Sequence, residues 1–241
     1  MSNMEFCYPN YLNTTTMVSI TSLNLDSDTT VCTIRIEFAS TKSFNRIVLE
    51  NINWKSFKIY HSSNTANTFT LVDAPTTTSE WVTNSVTTMM LKFATVSASI
   101  ITIDATATMI ADQDKQISGL WFLDKAYEFT DMPNAKNYDP NIEQKNYKHE
   151  MSDGGSAIYF IQDIFKASIK RDYISSTERG LMYDLYSYHE PLVFIPFPTG
   201  TSWDGDIYEV NWVDKFEFNQ FTHNVKSNGY SGTIRLEETA K

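Results

Sequence analysis

Residues 31–60 read VCTIRIEFASTKSFNRIVLENINWKSFKIY, and their period decides the fold class. Apolar and polar residues alternate through VCTIRIEF, NRIVLENI and WKSFKIYHS, the period of a chain whose successive side chains point to opposite faces of a sheet. Three strands are expected here, with a turn or bulge at Asn51–Asn53 and a hairpin loop at SSNTANT, residues 62–68, before FTLV. The same pattern continues downstream in MMLKFATV, SIITIDATATMI and ISGLWFLDKAYEF.

Composition agrees with this pattern. Of 241 residues, 41% are hydrophobic, enough for a sizeable core, while Gly (8) and Pro (7) are few. Thr, Ser, Val, Ile and aromatics predominate, as in half-buried strands joined by polar turns. The formal net charge of -10 argues against nucleic-acid binding, which depends on Lys and Arg releasing counterions from phosphates. Cys7 and Cys32 have neither CxxC spacing nor a nearby His, so both are expected to be ordinary reduced residues. Residues 1–10 lack a charged segment leading into an apolar run, and no stretch approaches 18 apolar residues. Synthesis and residence in a cytoplasm, without a secretion signal or membrane span, are therefore expected.

Beyond residue 130 the pattern changes. DMPNAKNYDPNIEQKNYKHE, residues 131–150, combines two prolines with a dense polar run and reads as a linker or extended arm, with Tyr138 and Tyr147 as anchors on a neighbouring subunit. SDGG marks a turn at 152–155, and IYFIQDIFKASIKRDY reads as one long or broken strand. Ser175 and Glu178 have capping-box spacing, which places a helix near 176–189 with Leu181, Leu185 and Tyr188 on one face and Pro191 as its stop. PLVFIPFP is strand-rich, but Pro196 lacks an amide donor, so its second half is an edge or loop. DIYEVNWVDKFEFNQF and YSGTIRLEET alternate again. The expected division is a β-sandwich over 1–130, an arm over 131–150 and a β domain with one short helix over 151–241.

Two resemblances rest on particular phrases. FNRIVLENINWKSFKIYHSSNTANTFTLV, residues 44–72, together with IITIDATAT and ISGLWFLD, resembles the discoidin or galactose-binding-like family, which implies an amino-terminal jelly-roll sandwich. The family's usual Trp after the polar loop is replaced by Phe69. In the carboxy-terminal half, the succession of strand, capped helix, PLVFIPFP, YEVNWVDKFEFNQ and GYSGTIRLEET resembles tail modules of tailed bacteriophages. That resemblance implies a tail-tube-like β-sandwich or barrel in a virion tail or baseplate protein, partnered by copies of itself in a symmetric ring and by other tail proteins.

Catalytic groups do not assemble in the sequence. No GxSxG, phosphate-binding Gly loop or HExxH occurs, and His61, His149, His189 and His223 lie in different elements. Asp204, Gly205 and Asp206 offer carboxylates to Ca²⁺ but lack the further acidic positions of a calcium loop, so a β-turn is the plainer reading. Glu217 with Glu209 or Asp214 could pair carboxylates, yet nothing separates an acid from a base. No enzyme activity, metal or cofactor is expected.

Trp203, Trp212, Phe216, Phe218 and Phe221 form the densest aromatic cluster, either core or interface anchors. Trp54, Tyr60 and Trp81 are the aromatic candidates for a second reading, a carbohydrate-binding module that recognises a host surface polysaccharide.

Overall fold

Long antiparallel strands dominate the computed structural model, which describes residues 4–10, 17–21, 31–62, 70–71, 80–81, 83–111, 113–129, 137–151, 156–197, 207–220 and 229–239. The chain divides into two compact units: Met1–Ala126 with Pro196–Asp206, and Tyr127–Ile195 with Ile207–Lys241. The loop residues 63–68, the SDGG turn, Asp204–Asp206, Trp203, Phe221 and His223 lie outside the described residues.

Unit 1 contains β1 (Glu5–Pro9), β2 (Met17–Thr21), β3 (Cys32–Glu50), β4 (Trp54–Ser62), β5 (Thr70–Leu71), β6 (Glu80–Trp81), β7 (Met89–Thr108) and most of β8 (Gly119–Glu128). Its sheet order is β5-β4-β7-β3-β8-β1, with β2 on β3 and β6 on β4. The stretches VCTIRIEF and NRIVLENI are one 19-residue strand rather than two. The register of β3 against β7 shifts between Glu37 and Lys42, so the strand bends where its residues are exposed and serves two parts of the sheet.

The bend folds the sheet over one core. Ile34, Ile36 and Phe38 from the first half of β3 share it with Phe44, Ile47 and Leu49 from the second. Phe122 of β8 meets both Phe38 and Phe44, with ring centroids 5.3 and 5.4 Å apart in edge-on geometry. A mainly β chain is what the alternation predicted and one short helix is what the capping box predicted, and the two-layered core is consistent with a β-sandwich. Asn51 sits at φ 52, a left-handed conformation that Asn tolerates better than most residues, and this reverses the chain between β3 and β4.

Unit 2 contains β9 (Tyr138–Glu150), β10 (Ser156–Ile174), α1 (Ser176–Tyr186), β11 (Leu192–Ile195), β12 (Tyr208–Trp212), β13 (Phe218–Gln220) and β14 (Tyr230–Glu238). The order is β11-β12-β14-β10-β9, with β13 also on β14. Residues 138–150, read as a linker or arm, are extended but paired along their length with β10. Their polar character reflects exposure of nearly every side chain of β9, not a lack of strand structure. β12 and β13 occupy successive stretches of the same partner, β14, so YEVNWVDKFEFNQ is a strand interrupted at 213–217.

The helix begins as its capping box specifies: Ser175 Oγ accepts from Glu178 N at 3.2 Å, and the Glu178 carboxylate accepts from Ser175 N at 2.9 Å. Its buried face is Met182 and Leu185, whereas Leu181 is exposed. The helix ends at Tyr186 with Ser187 as its cap, and His189 at φ 58 turns the chain before Pro191 is reached.

Candidate functional site

The aromatic cluster packs between α1 and the interrupted strand. Phe216 lies 5.1 Å from Phe218 and 6.1 Å from Trp212 between ring centroids, while Tyr183 and Tyr186 of the helix approach Phe216 at 5.2 and 5.6 Å. The Arg179 guanidinium closes it, 5.2 Å from the Phe216 ring and 5.1 Å from Tyr230. Phe218 is buried, and Trp212 and Phe216 are half-buried. The alternation of the sequence groups these three, and they do meet, although Phe216 lies in the interruption between β12 and β13. The helix tyrosines and Arg179 were missed because their partners are far away in sequence.

A groove of roughly 600 Å³ borders this cluster, lined by Leu185, Tyr186, His189, Trp212, Asp214 and Lys215 among others. Asp214 is committed within the fold: Oδ2 accepts from Arg235 Nη1 at 2.8 Å and Oδ1 from Lys215 N at 2.9 Å. Glu209 supplies its backbone carbonyl to Thr239 N at 2.8 Å, and Glu217 is exposed. Among the described residues no group of three or more His, Cys, Asp or Glu could hold a metal ion.

Trp54 cannot be a sugar platform. It is 1% exposed, with its ring edge-on to Phe57 at 5.8 Å, because its position in β4 faces the core. Tyr60 is half-buried on β4, opposite Thr102 of β7 and Leu71 of β5. Trp81 pairs through its backbone with Phe57, and its side chain lies outside what the structure describes.

A different Trp, half-buried Trp121, borders a concavity with polar neighbours. At one end of β3 and β8, the Glu50 carboxylate lies over Gly119 and accepts the Trp121 indole N–H on Oε2 at 3.1 Å. A Cβ at position 119 would overlap that carboxylate. Ser118 N donates to the Glu50 carbonyl at 3.0 Å, which fixes the chain entering β8. Asn10 closes one side: its N–H donates to Phe122 O at 2.8 Å and its Nδ2 to Ser43 O at 3.0 Å. The concavity measures roughly 280 Å³, and its accessible apolar wall is half-buried Leu120 with Trp121. ISGLWFLD offered no signal for it beyond the Gly-Leu-Trp order, since Glu50 and Asn10 arrive from remote segments.

The distal half of the β9–β10 hairpin carries the largest unburied apolar residues of unit 2. Ile158, Tyr159, Phe160 and Ile161 are 69, 56, 59 and 52% exposed, although they follow one another in sequence and so point to both faces of the ribbon. Tyr147 stands directly opposite Tyr159, and the register shift between Phe160 and Gln162 places a bulge at Ile161.

No family model matches the chain, and no curated protein matches it. Among solved structures the chain is similar to chitosan-binding module 1 derived from a chitosanase/glucanase of Paenibacillus sp. IK-5. Identity is 16% over 46% of this chain and 76% of the module, with a TM-score of 0.34, too low to transfer a fold or a ligand. No match is to a phage tail protein.

Proposed function

We propose that this chain is a non-enzymatic assembly protein that docks the β9–β10 hairpin onto a neighbouring copy of itself. The observation that carries this reading is the run Ile158–Ile161, exposed on both faces of a two-stranded ribbon. Such a ribbon is marginal in water by itself, and contiguous exposed apolar side chains mark contact surfaces. Among the described residues β9 is the last strand in the sheet order, and no described strand pairs with its outer edge. A second copy running antiparallel about Gln144 would set Glu143 opposite Lys145 and Asn141 opposite Tyr147, with Pro140 confining the pairing to residues beyond it.

The finer reading, a tail or baseplate component of a tailed phage located in the virion, draws on the sequence resemblance and joins copies of this chain to other tail proteins. Sedimentation of the full chain across a range of concentrations tests the assembly step. A species larger than the monomer, reduced to monomer by Ile158→Lys with Phe160→Lys, is expected; a monomer at every concentration sinks it. Immunogold label on purified particles, at one end of the tail, tests the location.

A second reading, recognition of a host surface polysaccharide by the amino-terminal unit, is favoured by the Glu50–Trp121 concavity and not by Trp54.

A further inference from the structure

The geometry points to a monosaccharide-sized binding site in unit 1, built by Trp121, Glu50 and Asn10, that takes one ring of a neutral glycan. It develops the polysaccharide reading and is independent of the hairpin.

Three features make the place more than a surface dent. The carboxylate is held in one orientation, since the indole N–H occupies Oε2 and the missing side chain of Gly119 is what lets the group lie there. Asn10 is likewise fixed, with its amide nitrogen bound to Ser43 O, so its side-chain carbonyl is the end left to accept. The remaining accessible wall, half-buried Leu120 and Trp121, is apolar.

This combination selects its ligand by chemistry. The open polar atoms are acceptors, which require a ligand rich in donors, and the apolar wall requires C–H surface on the same molecule. A pyranose ring has both: vicinal hydroxyls to donate to a carboxylate, and an axial C–H face to lie on an indole. A bare ammonium group would satisfy Glu50 but leave the apolar wall without a partner. A ring-sized concavity of roughly 280 Å³ suits one residue of a longer glycan, with its neighbours in solvent. Such sites are weak singly, with Kd on the order of 1 mM, and gain by repetition when several copies face one polymer.

The test follows the indole N–H resonances of the full chain by heteronuclear NMR, with the Trp121 signal assigned from Trp121→Phe. Lactose, cellobiose and maltose are titrated in turn, and glucosamine serves as the cationic control. At least one neutral disaccharide should shift the Trp121 resonance saturably. Glu50→Gln should weaken it by roughly tenfold or more, because a charge-assisted hydrogen bond becomes a neutral one. Gly119→Ala should abolish it by displacing the carboxylate. The hairpin pair Ile158→Lys with Phe160→Lys should leave it unchanged, so failure here is separable from failure of the assembly reading. Three results would overturn the site: no shift with any of the three sugars, a response to glucosamine alone, or a shift indifferent to both Glu50→Gln and Gly119→Ala.

Discussion

Glu5 and Arg46 form an ion pair inside unit 1, with Nε 3.1 Å from Oε2 and the carboxylate side chain only 1% exposed. Lys92 Nζ reaches the other oxygen at 2.9 Å, so one buried carboxylate of β1 ties together β3 and β7.

The triad is unequal, and that sets an order of costs. Removing Glu5 leaves Arg46 buried without its carboxylate, whereas removing Arg46 leaves Glu5 still paired with Lys92. Glu5→Ala is expected to cost about 3–5 kcal/mol, and Arg46→Met clearly less. Urea denaturation of both variants and of the double variant checks this; equal losses would mean that Lys92 does not support Glu5.

Glu178 does more than cap the helix. It also accepts from the Tyr127 hydroxyl at 3.4 Å and lies 3.8 Å from Arg171, whose guanidinium sits over Phe129. Ser175→Ala should cost about 1 kcal/mol, the usual worth of an N-cap, and Glu178→Ala more. Thermal denaturation ranks them.

Two glycines should respond with opposite signs. A Cβ at Gly180, in α1, meets nothing within 4 Å, so Gly180→Ala should stabilise by roughly 0.5–1 kcal/mol through helix propensity. At Gly232 the Cβ would stand 2.5 Å from Glu217 O and 2.7 Å from the Phe218 ring, and the backbone atom cannot move cheaply. Gly232→Ala should destabilise by about 1–3 kcal/mol, read from the midpoint of denaturant unfolding.

Asp124 gives a pH dependence of defined sign. Burial raises its pKa above the ordinary 3.8, with Arg46 opposing the shift. In the window between the two values the folded state holds the proton more often than the unfolded state, so this residue's contribution to stability falls as pH rises and stays lower above it. Asp124→Asn, which can still accept from Asn45 Nδ2, removes that contribution. Relative to wild type, the variant should be more stable at neutral pH than at pH values below both pKa values; a pH-independent difference would contradict it.

Cys7 and Cys32 are both free and buried, and burial pushes both thiols up from their ordinary range. Folded protein should therefore react slowly with a disulfide reagent such as DTNB, Cys7 more slowly than Cys32, and both fully once unfolded. Rapid modification of Cys7 in native buffer, located by peptide mass, would show that β1 opens readily.

Alternation alone determined the strands of 31–60, because a one-residue slip would turn Ile34, Ile36, Ile47 and Leu49 away from the core. The capping box was equally legible, since its two hydrogen bonds join residues three apart. What local patterning could not decide was which strands are continuous. The bend after Glu37 and the interruption at 213–217 depend on register against β7 and β14, which are distant in sequence.

The sites divide the same way. Trp212, Phe216 and Phe218 meet as the alternation leads one to expect, but Phe216 lies in the interruption at 213–217, so its place in the cluster is set by the tertiary structure. Trp54 and Trp121 look alike as residues of alternating strands. Only the tertiary structure buried the first against Phe57 and set the second beside Glu50 and Gly119, because burial is decided by what other segments lay across each face. The polar run at 138–150 makes the point in reverse: its composition reads as loop, and it is a strand because β10 supplies the hydrogen bonds that its own side chains do not predict.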